Sequence, residues 1–337
     1  MAQQISNQSN VVLGVVPTHI KFVGGLVPDD DGKLPRGDDG KLLVVAEMEA
    51  LIAASPAKIG AVQTPAFPGV DEGDTEDLMT SLKGLGLEVH IIMMVGGADP
   101  MKPEDEDAIA DMLGSGIEVA KKYGVTNVSS TSFEEWMSGN PTKTGADFDA
   151  AVAQLAKVHA RVYEERGVAG SCIEHWHLEF LRGIEFSTFT SVDKAWEVAK
   201  KANEIIGAKF FQIMVDAAHC GDSPLTIPEN EAVISEMAAA GEMGIFHASA
   251  KTTRGCLSTD DGWVGAILAA TAQTGELRHA FVELFHHEDA ALEALRDADP
   301  GHGIDTTDGR TYSEAVVDGL VDVQRRLNNL VARGKLS

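Results

Sequence analysis

Short apolar or β-branched runs alternate with stretches of helical periodicity from one end of the chain to the other, and the alternation repeats eight times. The first run covers 11–16 and leads through a Gly/Asp-rich loop at 24–40 to a helix expected over 43–54. Runs at 59–63 and 87–95 precede helices expected over 73–84 and 104–123, the latter stopped by Gly124. The fourth run, 126–130, is followed by a loop rich in Gly, Pro and Thr and a long helix over 146–166. The fifth, 171–176, precedes a helix that starts after Ser191, a suitable N-cap, and runs to 206. Runs at 209–215, 244–249 and 280–285 complete the set, with helices expected over 228–243, 261–274 and 313–332.

Strands that alternate with helices of this length form a parallel sheet. Eight such units favour closure over an open sheet, so the expected fold is α/β, a single-domain (β/α)8 TIM barrel spanning 1–337 with a flexible start at 1–10. Neither a GxGxxG after the first strand nor a GxxxxGK[ST] occurs, which weighs against the nucleotide-binding α/β folds. The glycine pairs at 24–25 and 96–97 read as loop flexibility.

Charge narrows the set of partners. The chain carries 27 Lys plus Arg against 52 Asp plus Glu, a formal net charge of −25. Such a surface repels phosphate backbones, so nucleic acid is not an expected partner. No apolar run has the length of a membrane span, and the N-terminus lacks the basic start and apolar stretch of a secretory signal. Cys172, Cys220 and Cys256 are widely spaced and form no CxxC pair, in keeping with a reducing compartment. The expected location is the cytoplasm.

In a barrel of this kind the chemistry sits where strands end and βα loops begin. Four strand ends carry metal-ligating residues: Glu174 on the fifth run, Asp216 on the sixth, His247 on the seventh and Glu283 on the eighth. Their separations of 42, 31 and 36 residues are each about one β/α repeat, so neighbouring strands would present one ligand apiece to a common point. A single carboxylate at a strand end is often only a helix N-cap. Four that follow apolar runs at the repeat spacing make a set, because buried charges need a partner or a metal. Three carboxylates and one imidazole suit Mn2+ or Mg2+, with Co2+ as a substitute.

Other residues cluster nearby. His219 lies three positions beyond Asp216 and can reach back over the pocket mouth. Lys251 and Arg254 follow His247 in a loop suited to substrate oxygens or an anionic group. Behind Glu174, alternation puts Glu174 and Trp176 on one side of the strand and His175 and His177 on the other. Trp176, His177 and Glu179 are taken as substrate-binding candidates, with Trp176 as an apolar wall for a sugar ring. His286 and His287 follow Glu283, and their direction is left open.

Four motifs together, Ile173-Glu174, Val215-Asp216-Ala217-Ala218-His219, Phe246-His247-Ala248-Ser249 and Val282-Glu283, resemble the xylose-isomerase-like barrel superfamily. Within it, the pattern is most similar to the sugar isomerases and epimerases related to ketose 3-epimerases. The resemblance implies that Glu174, Asp216, His247 and Glu283 bind Mn2+ or a similar ion. It also implies that Glu174 and Glu283 exchange protons on opposite faces of a substrate carbon, while His219 and Arg254 hold substrate oxygens. The stretch after the first glutamate, His175 to Glu179, departs from the usual epimerase sequence, and the chain is longer than usual near 24–42 and 286–311.

The function so expected is a metal-dependent isomerase or epimerase acting on a ketose or keto-polyol through an enediolate. Its partner is a small carbohydrate, and homo-oligomers are common in the resembled family. The alternative is a lyase or hydrolase on 3-keto-glycosides, or a keto-acid dehydratase, because an enolising site can also expel a β-leaving group. A repair nuclease on the same barrel would want more histidines and a basic face. A non-catalytic binding barrel is disfavoured because convergent buried carboxylates tend to mark functional sites.

Overall fold

The computed structural model describes residues 4–17, 26–250, 262–284, 293–299 and 310–336. Its centre is a closed barrel of eight parallel strands in chain order, with the first paired to the last. The strands are β1 (Val12–Val15), β2 (Ala61–Pro65), β3 (Glu88–Met94), β4 (Asn127–Thr131), β5 (His175–Glu179), β6 (Phe211–Asp216), β7 (Met243–Ala248) and β8 (His279–Val282). The helices are α1 (Leu43–Ala54), α2 (Glu72–Gly84), α3 (Glu106–Tyr123), α4 (Ala146–Glu165), α5 (Val192–Ile206), α6 (Ala217–Asp222), α7 (Ile227–Ala240), α8 (Trp263–Gln273), α9 (Glu293–Ala298) and α10 (Tyr312–Ala332).

Local chemistry sets many of these limits. Thr226 and Glu229 form a capping box at the start of α7, and Thr311 and Glu314 form one at the start of α10. The helix α7 ends at Gly241, whose φ of 72° is left-handed, so the chain turns directly into β7. Ser191 stands at the N-cap position of α5 as its sequence suggests, but its hydroxyl donates to the Asp193 carboxylate and caps no backbone amide.

Two layers of apolar side chains result from strand alternation. The larger fills the space between barrel and helices. The smaller lies inside the barrel and contains Val16, Ala61, Ile92, Met214, Ile245 and Phe281. Polar side chains share the interior: Gln63 Nε2 donates to Ser129 Oγ at 3.0 Å, and His177 Nε2 lies 3.2 Å from Asn127 Oδ1. A Cβ at Gly244 would come within 2.3 Å of His177 Nδ1, so the histidine's place depends on that glycine. Burial pushes the imidazoles of His90 and His177 well below the usual histidine range.

The structure shifts one predicted strand in a way that matters for function. The fifth was expected over 171–176, whereas β5 spans His175–Glu179. The apolar residue Ile173 is buried ahead of the strand, and the Glu174 amide donates to Thr126 O at 2.7 Å as the chain enters the barrel. The predicted run was therefore the approach to the strand plus its first two residues. The short helix α6, directly behind β6, has no counterpart among the expected elements. Among the described residues no helix is long and apolar enough to cross a membrane.

Candidate metal centre

Strands β5 to β8 are consecutive around the barrel, and each sends one ligating side chain to the same place at its C-terminal end. The four are Glu179, Asp216, His247 and Glu283, and one donor atom from each lies within 4.8 Å of all the others. All four are buried. His247 Nδ1 is 3.0 Å from Glu283 Oε2 and 3.7 Å from Glu179 Oε1.

The backbone explains how each arrives there. Glu179 is the last residue of β5 and shares the inner face with His177, while Leu178 faces the helices. The pairing of β6 with β7 shifts register between Ile213 and Val215, which brings Asp216 opposite His247. Such irregularities re-aim a side chain at the rim of a barrel. Asp216 also caps α6, its Oδ1 accepting from the His219 amide at 2.7 Å. The Asp-x-x-His motif thus folds as a strand end, an N-cap and a first helical turn. That turn brings His219 Nδ1 to 3.6 Å from Glu179 Oε1 and 3.7 Å from Asp216 Oδ1. Phe180 packs edge-on against the His219 ring.

The loop after β5 is anchored firmly. Glu134 is buried and accepts backbone N–H bonds from Ser187, Thr188 and Phe189 at 3.0, 2.7 and 2.6 Å. Arg182, three residues past Glu179, pairs with Asp222 at the end of α6 and, at 2.9 Å, with Asp299. The rim around the four ligands is therefore tied to three separate segments.

Three of the four ligands expected from sequence, Asp216, His247 and Glu283, come together as the spacing suggests. Glu174 does not. It is exposed and precedes β5, at the opposite end of that strand from the cluster, because the strand starts one residue after it. Glu179 takes the position expected of Glu174. Trp176 likewise points away from the pocket: it is buried between barrel and helices, donates to Ser130 Oγ at 2.8 Å and packs against His159 and Phe211. His177 faces the interior, two residues below Glu179 and away from the rim. Lys251, Arg254, His286 and His287 lie outside the described residues. Two signals in the sequence point to Glu179. The alternation from Trp176 to Glu179 puts His177 and Glu179 together on the inner side, and 37 residues separate Glu179 from Asp216, closer to one repeat than 42.

The donor set suits a divalent cation. Three carboxylates converging in a buried space cannot all be ionised without a compensating positive charge. Carboxylate oxygens with a single imidazole nitrogen favour Mn2+, Mg2+ or Co2+.

This arrangement defines the chain as a (β/α)8 barrel with a carboxylate-rich cluster at its C-terminal mouth, and solved structures agree on the fold. An L-ribulose 3-epimerase matches with a TM-score of 0.71 at 15% identity, covering 96% of this chain and 97% of that one. A D-psicose 3-epimerase from Clostridium cellulolyticum H10, solved with D-tagatose, matches with a TM-score of 0.67 at 13% identity, covering 94% and 99%. The IOLI protein, solved with a bound zinc atom, matches with a TM-score of 0.57 at 12% identity, covering 97% and 100%. No protein-family model matches the chain, and no curated protein does.

Proposed function

We propose that this chain is a divalent-metal-dependent sugar isomerase or epimerase, with the ion held by Glu179, Asp216, His247 and Glu283. The observation that carries the reading is the convergence of those four buried donors from four consecutive strands. Its support is the chemistry of the donor set and a fold shared with sugar epimerases and with a zinc-containing protein. Mn2+ is the ion that best suits three carboxylates and one imidazole.

When bound, the ion supplies Lewis-acid chemistry, polarising a carbonyl and offsetting negative charge on its oxygen. The chain's own residues do the rest. Glu179 and Glu283 stand at the two ends of the ligand arc, on β5 and just beyond β8. A ketose carbon seated between them has a carboxylate on either face. One carboxylate removes the proton next to the carbonyl and the other returns a proton, giving a new stereoisomer. His219, in the first turn of α6, is placed to hold a substrate hydroxyl. The buried setting excludes water that would otherwise compete for the exchanging proton.

The test is product identification by NMR in D2O across a panel of ketoses and keto-glycosides, with Mn2+ supplied. Deuterium at the carbon of a new stereoisomer is the expected result. A released fragment in place of a stereoisomer would move the reaction to the lyases, and no solvent exchange on any substrate would contradict the reading.

A further inference from the structure

The other end of the barrel carries a second constellation. Glu88 and His90 lie two residues apart on β3, so both point into the barrel, and His279 opens β8. The strands between, β1 and β2, are narrow at this level: Gly14 pairs with Ala61, Ala61 with Glu88, and Gly14 with Phe281. A Cβ at Gly14 would meet the Phe281 ring at 2.4 Å, so glycine there is what lets side chains from β3 and β8 approach across the interior.

We propose that Glu88, His90 and His279 form a second divalent-cation site, one that takes a zinc-class ion and ties β3 to β8 at the N-terminal mouth. One donor atom from each residue lies within 4.8 Å of the others. His279 Nε2 is 2.8 Å from Glu88 Oε2, and the rings of His90 and His279 stand 4.5 Å apart edge to face. The second observation is His90 itself. It is 1% exposed, and neither ring nitrogen has a hydrogen-bond partner among the described residues. A buried imidazole without partners is destabilising, and a cation bound to its free lone pair would offset that cost.

The chemistry separates this site from the one at the opposite mouth. Two imidazoles and one carboxylate suit zinc, cobalt or nickel, whereas three carboxylates and one imidazole suit manganese or magnesium. Donor atoms around zinc stand within about 4 Å of one another. The three donors already lie within 4.8 Å of one another, and the Glu88 side chain is 58% exposed, so neighbouring side chains do not enclose it. The solvent beside Glu88 leaves room for water as the fourth ligand.

The experiment uses tag-free, full-length, metal-stripped protein equilibrated with Zn2+ alone, its bound metal counted by mass spectrometry after desalting. In an Asp216→Asn, Glu283→Gln background, which disables the other mouth, one zinc per chain is expected, and adding His279→Gln should remove it. Visible absorption of bound Co2+ should follow the same pattern. Glu88→Gln in the otherwise unchanged chain, at an exposed position that does not threaten folding, should weaken one class of zinc site at least tenfold. No zinc in the background protein, or equal zinc with and without His279→Gln, would overturn the proposal. Unchanged affinity in Glu88→Gln would do the same, leaving Glu88 and His279 as a simple hydrogen-bonded pair.

Discussion

The two mouths of the barrel are built from the same kind of residue to different ends. At the C-terminal mouth, four ligating side chains arrive from four neighbouring strands, and all are buried. At the N-terminal mouth, three arrive from β3 and β8 only, with Glu88 largely in solvent. The first set gathers three carboxylates where water cannot screen them, a setting that suits a bound cation. The second combines two imidazoles with one carboxylate that solvent screens. Placement decides the difference, because strand ends feeding βα loops are where barrels gather chemistry.

The sharpest way to break the comparison uses the two ends of β5. Glu179→Gln should lower turnover by about a hundred- to ten-thousandfold, the usual worth of a positioned acid–base group. Glu174→Gln should leave turnover within about twofold, since that carboxylate is exposed at the far end of the strand. Steady-state assays on both variants measure the contrast, and a large loss in Glu174→Gln with none in Glu179→Gln would reverse the assignment.

The next effect concerns what holds the C-terminal mouth in place. Glu134→Ala leaves three backbone amides without their acceptor, and chemical denaturation should show a loss of about 4 kcal/mol. A loss under 1 kcal/mol would mean that the loop after β5 is held by other contacts.

Acid tests the layer between the barrel and its helices, where His159 packs against Trp176 and Phe211. Burial pushes the His159 pKa from 6.5 down to about 4, partly opposed by the Leu155 carbonyl. Below pH 6.5 the unfolded chain therefore takes up a proton that the native chain refuses, and stability falls as pH drops from about 6.5 through about 4. For His159 this is roughly 3 kcal/mol. Denaturation midpoints across that window should fall less steeply in His159→Gln than in the parent chain; an identical slope would remove His159 from the account. The smallest effect is at the N-terminal mouth without metal. Glu88→Gln should change stability there by less than about 1 kcal/mol, because the pair with His279 is open to solvent and screened.

Hydrophobic periodicity made the barrel readable. Alternating strand and helix runs predict all eight units, and Ser191 and Gly124 stand at helix ends where the sequence puts them. Three cluster residues, Asp216, His247 and Glu283, were equally legible, each directly following an apolar run. Glu179 was harder. The apolar residues before Glu174 resemble a strand, yet Ile173 is buried on the way in, and the ligand on β5 lies five residues beyond the expected one. Parity carried the correction, since His177 and Glu179 share a face that Trp176 does not. The meeting of Glu88 with His279 was not legible at all. It depends on small residues in two intervening strands, and pairwise spacing along the chain does not report packing across a barrel.

The central claim is that one divalent cation binds between Glu179, Asp216, His247 and Glu283. Diffraction from crystals grown with Mn2+, recorded at the manganese absorption edge, addresses it most directly. An anomalous peak at bonding distance from those four side chains is the predicted result. Their meeting through hydrogen bonds alone, with no anomalous peak between them, would contradict it.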